Sequence, residues 1–96
     1  MPDFPDDLLQ LQRNIDAARL AADTYAQAIA DERRVQFPDD EQIVERQTWP
    51  AEQDAELNRL RAAYEAATRA KRAHPGFVVA EDFDLRKVAR AVEAAS

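Results

Sequence analysis

Cysteine is absent from this chain of 96 residues, glycine, histidine, tryptophan and methionine occur once each, and the single serine is the last residue. Each shortage removes a class of chemistry. Without cysteine there are no disulfides, no thiolate nucleophile and no Cys-based zinc site. With Ser96 terminal and His74 alone, Ser-His-Asp and Cys-His catalysis lack their parts, and Thr24, Thr48 and Thr68 show no spacing that joins them to His74. One glycine cannot build a phosphate-cradling loop, and Asp39-Asp40-Glu41 lacks the alternation and central glycine of a calcium loop. No Glu-x-x-His pair is present for a carboxylate-bridged metal bundle. The expectation is therefore no catalytic residue, no metal and no cofactor.

Long apolar runs are missing too, and the first residues carry neither a basic cluster nor an apolar stretch, so the chain reads as soluble and cytoplasmic, with no membrane contact. The formal charge of −6 argues against direct binding to nucleic acid. Basic residues do gather at Arg69-Lys71-Arg72 and at Arg86-Lys87-Arg90. They read as solvated helix faces paired with nearby acids.

What the chain does have is alanine, at twenty positions. Alanine is the best helix former and buries little area, so helices form readily while the core stays thin. Between Leu8 and Ile29 the apolar residues Leu8, Leu11, Ile15, Ala18, Ala22, Tyr25 and Ile29 recur at steps of three and four, one face of an α-helix. Leu57, Leu60, Tyr64 and Ala67 repeat the rhythm. Phe4-Pro5-Asp6-Asp7 is a helix start, and His74-Pro75-Gly76 is the clearest helix stop. The second long helix also carries an alanine strip, Ala55, Ala62, Ala66 and Ala73, suited either to solvent or to a close-packed helix.

These patterns predict one all-α domain spanning 1–96. It is an antiparallel two-helix hairpin, about 6–33 and 50–73, with a shorter third helix, about 82–95, packed across it. The third helix carries Leu85, Val88, Val92 and Ala95 on one side. Antiparallel docking sets Leu8 near His74 and Ala22 near Leu60. It also brings Asp6 and Asp7 toward Arg69, Lys71 and Arg72, and Arg33 and Arg34 toward Glu52, Asp54 and Glu56.

Residues 35–49 form a partly ordered connector, read either as a short helix over about 39–47 or as a hairpin of residues 34–37 against 43–49. Its residues Phe37, Ile43, Val44 and Trp49 are candidate partner anchors, alongside Leu9 and Leu20, which lie off the main stripe and need a second covering. That covering comes from the C-terminal segment or from another chain.

Phe4-Pro5-Asp6-Asp7-Leu8 with Gln12-Arg13, then Leu60-Arg61, His74-Pro75 and Lys87-Val88-Ala89-Arg90, resemble the succession found in a group of small actinobacterial helical proteins. Two departures from that pattern are the glycine between Pro75 and Phe77 and the lack of a tryptophan in the first helix. The resemblance implies an all-helical domain and brings no activity.

The expected function is a non-enzymatic helical module that binds a protein partner or a second copy of itself as a dimer. The alternative is an acidic regulator that occupies a basic, nucleic-acid-binding surface of another protein. It rests on the acids of the first helix, Asp3, Asp6, Asp7, Asp16, Asp23, Asp31 and Glu32. A small enzyme working through carboxylates alone is a third reading.

Overall fold

A computed structural model describes residues 3–95, with side chains as far as Ala91. The side chains of Val92 and Ala95, and the terminal serine, lie outside the described residues. The fold is all-α, with four helices: α1 (Asp6–Gln36), α2 (Ile43–Gln47), α3 (Ala51–Ala73) and α4 (Asp82–Ala95). Single 3₁₀ turns, Asp40–Gln42 and Val79–Glu81, lead into α2 and α4. The molecule is elongated, 53 × 25 × 23 Å.

Prolines set the boundaries. The residue before a proline is driven out of the α region by its clash with the proline ring. Phe37, ahead of Pro38, sits at φ −129°, ψ 72° and ends α1, and His74, ahead of Pro75, sits at φ −68°, ψ 132° and ends α3. Pro5 and Pro50 stand at the N-caps of α1 and α3, each followed by acids in the first turn that complement the helix dipole. Because Pro38, rather than the Arg33-Arg34 pair, is what stops α1, that helix continues through Val35 and Gln36, slightly past the expected end.

The connector resolves to the short helix. Residues 40–47 turn helically, no strand forms among the described residues, and the Gln42 side chain accepts the Asp39 backbone N–H at 3.1 Å. Arg33 reaches over from α1 and donates to the Glu45 and Arg46 carbonyls in the last turn of α2, where carbonyls lack full intrahelical pairing. Its guanidinium also stands 5.0 Å from the Phe37 ring centre. Arg33 thus serves α2, and Arg34 pairs with Asp31, instead of the expected acids of α3.

Every longer helix docks on α1. His74 of α3 meets Asp7, Lys71 meets Gln12, and Leu57 lines the same hollow as Ala22 and Ala26. Numbers fall along α3 as they rise along α1, so the two run antiparallel. The core is small: Leu8, Leu9, Ile15, Ala22, Ile29, Leu57, Leu85 and Ala89 are the buried apolar residues. At one end Leu8 and Leu9 close against Leu85 and Ala89 of α4, flanked by Phe4, Phe77 and Val88.

The last helix departs from its expected position across the hairpin. Helix α4 lies against α1 and, among the described residues, makes no close backbone approach to α3. It therefore sits beside the α1–α3 pair without spanning it. The Lys71–Asp82 ion pair bridges the gap between α3 and α4.

Candidate functional site

The gap is floored by a lysine. Lys71 sits in the last turn of α3, where a cation suits the helix dipole, yet only 3% of it is exposed. Its ammonium donates to Gln12 Oε1 at 2.9 Å and to Asp82 Oδ1 at 2.8 Å, and it lies 5.5 Å from the Phe77 ring centre. Burying an ammonium costs several kcal/mol unless it is paired and hydrogen-bonded. Here a carboxylate from α4, an amide from α1 and an aromatic face from the intervening loop supply that compensation. One side chain thereby ties three helices together.

Two further interactions organise the walls. Asp82 also forms an ion pair with Arg86, one turn later on α4, at 2.8 Å. Gln12 Nε2 donates to Asp16 Oδ1 at 3.0 Å, which turns its carbonyl oxygen toward Lys71. Lys71 and Arg86 share the single Asp82 carboxylate, and Asp16, held by Gln12, is the second carboxylate of the cluster. Arg19 of α1, Arg72 of α3 and Arg90 of α4 line the same groove, whose volume is about 660 Å³. Ile15, Tyr64, Phe77 and Val79 give it apolar surface.

Beside this groove the end of α3 is clasped to the start of α1. His74 Nδ1 accepts the Gly76 N–H at 2.9 Å, and Nε2 lies 2.8 Å from Asp7 Oδ2. With Nδ1 occupied as an acceptor, the ring proton resides on Nε2 and is donated to Asp7. That hydrogen bond holds the Asp7 carboxyl below its ordinary value. A Cβ on residue 76 would lie 3.2 Å from His74 Nδ1 and Cε1, so glycine here permits the backbone to approach the ring.

The residues expected to meet a partner separate into three groups. Leu9 faces inward: α4 covers it, so it belongs to no outward surface. Leu20 is 67% exposed, and Ile43 and Val44 are 52% and 68% exposed on α2. Phe37 and Trp49 are half-buried, Phe37 beneath Arg33, and Trp49 in a hollow it shares with Ala30, Arg34 and Ile43. The connector thus brings Ile43 and Trp49 together, and leaves Leu20 apart.

The Lys71 cluster was not among the expected site residues. Its signal in the sequence was Gln12. The buried residues of α1 are Leu8, Leu9, Gln12, Ile15, Ala22 and Ile29, a stripe rotated from the apolar one toward position 12. A polar residue on that stripe requires a polar partner. The alanine strip of α3, Ala55, Ala62, Ala66 and Ala73, faces solvent.

Compared with known proteins, the chain matches no family model, no curated protein and no solved structure. No helix of the described residues is long and apolar enough to cross a membrane.

Proposed function

We propose that this chain is a non-enzymatic helical protein–protein interaction module, organised as a hairpin of α1 and α3 with α4 alongside. The observation that carries the reading is where its large apolar side chains are left uncovered. Val35, Ile43 and Val44 stand exposed at the connector end, and Val78, Val79 and Phe83 at the start of α4. Phe83 is 78% exposed and lies one turn from Val79, which is 80% exposed. A core this thin leaves few apolar residues to spare, and grouped exposed ones mark contact surfaces.

Photo-crosslinking tests the reading. A benzoylphenylalanine at position 44 or 83, in cells that make the protein, should give one discrete protein adduct. The same probe at position 66, on the solvent-facing alanine strip, should give none. Absence of adducts from both 44 and 83 contradicts the proposal.

A second reading, the acidic regulator, is favoured by one observation. Between Leu20 and Ala66, eleven acids face five bases, and the remaining acids and bases of the chain balance. The whole net charge therefore sits toward the connector end. If that end serves a basic partner surface, adduct formation from position 44 should collapse as salt is raised. Adduct yield unchanged by salt favours apolar docking instead.

A further inference from the structure

The groove between α3 and α4 runs against the charge of the molecule that contains it. Five cationic side chains line it against two carboxylates, Asp16 and Asp82, an excess of three positive charges on a chain of net charge −6. Both carboxylates are already engaged, Asp16 by Gln12 and Asp82 by Lys71 and Arg86. Arg72 makes no ion pair among the described residues, and Arg19 stands 3.8 Å from Asp23 with both side chains mostly exposed. The buried Lys71 is held on two oxygens and an aromatic face and is already paired with Asp82, which leaves the arginines of the walls to meet a ligand.

Size and lining narrow the occupant. A volume of about 660 Å³ is that of a small-molecule site. The groove covers about two turns of each helix, from Gln12 to Arg19, Tyr64 to Arg72 and Asp82 to Arg90, or roughly 12 Å at the helical rise. That length is short for a docked helix and suits a molecule with one ring or a short chain. Phe77, Val79 and Ile15 offer it apolar contact, while guanidinium forks on three helices match the paired oxygens of a carboxylate or phosphate.

We propose that this groove is a binding site for a small organic anion, a carboxylate or phosphate ester carried on an aromatic or short apolar body. The anionic head meets Arg72 at the rim, at the Lys71 end of the groove, the body lies over Phe77 and Val79, and Arg19 at the other end adds longer-range attraction. Since α3 and α4 are joined across the gap only by side chains, such a ligand would also brace α4 against α3.

The probe is 1-anilinonaphthalene-8-sulfonate, with neutral N-phenyl-1-naphthylamine as its uncharged counterpart. The expected result is saturable fluorescence enhancement with the anion at one site per chain, and much weaker binding of the neutral compound. Phenyl phosphate and benzoate then compete, and whichever displaces the probe at lower concentration identifies the preferred head group. Arg19→Gln combined with Arg72→Gln should weaken binding by about tenfold or more, the scale of lost charge-assisted hydrogen bonds. Lys87→Gln, an exposed position on α4 outside the groove, should leave binding unchanged. Circular dichroism at 222 nm establishes that each variant is folded. Equal binding of the neutral probe, no displacement by either competitor, or equal weakening by Lys87→Gln overturns the proposal.

Discussion

Lys71 carries the sharpest prediction at the scale of single residues. Its removal strands Gln12, which is 2% exposed, while Asp82 keeps Arg86. Breaking one side of a buried pair costs about 3–5 kcal/mol in general. Because Asp82 retains a partner and is partly exposed, Lys71→Ala should destabilise by about 2–3 kcal/mol, read as a lower urea midpoint at unchanged slope. Lys71→Met should cost less, since it refills the volume beside Phe77. Asp7 supplies a pH prediction of definite sign. Its carboxyl is depressed in the folded chain by the hydrogen bond from His74, so the stability it adds is fully present above the unfolded value of about 3.9. That contribution is lost as pH falls through the lower folded value. Asp7→Asn should therefore be less stable than the parent by a constant margin near neutral pH, and the two urea midpoints should converge below about pH 4. Midpoints that stay equally separated down to about pH 2 would show that His74 does not act on this carboxyl.

At the scale of helices, α1 is the common support and α4 the most separable addition. Leu85 is 1% exposed and Ala89 is fully buried against Leu8 and Leu9, and these few contacts anchor α4. Leu85→Ala should cost about 2–4 kcal/mol and release α4 first. Residue-resolved amide exchange should show protection lost across residues 83–91 and kept in Leu57–Thr68. Loss of protection in both helices together would mean that α3 and α4 fold as one unit. Much of this arrangement is legible in the sequence. The steps of three and four from Leu8 to Ile29 mark α1, and prolines mark its start and both ends of α3, while α1 ends ahead of Pro38, about a turn past the arginine pair that suggests its end. The matching apolar stripes of the two long helices foretell that α1 packs against α3. The rotation of α1 is not legible in the same way. Leu11, Ala18 and Tyr25 look as apolar as the residues actually buried, and a tally of apolar residues passes over Gln12 and Arg19. Lys71 is obscured for a related reason. Cations near a helix C-terminus are expected for the dipole alone, so its burial leaves no separate trace.

For the whole molecule, the salient feature is separation of charge along an elongated body. The connector end holds the net negative charge and the exposed Val35, Ile43 and Val44, while the α4 end is balanced overall and contains the cationic groove. The two ends are thus distinct surfaces, the connector end suited to apolar or basic partners, and the α4 end combining the exposed Val78, Val79 and Phe83 with a groove suited to small anions. Both depend on α1 acting as the spine, with α3 and α4 docked on it separately and Lys71 bridging them. A ¹³C-edited NOESY spectrum of the intact chain tests this arrangement most directly. It should show cross-peaks between the methyls of Leu8 and Leu85, and between the Phe77 ring and the Lys71 side chain. A spectrum in which Leu8 meets no residue of α4, with the Phe77 ring remote from Lys71, would contradict the fold and remove the groove with it.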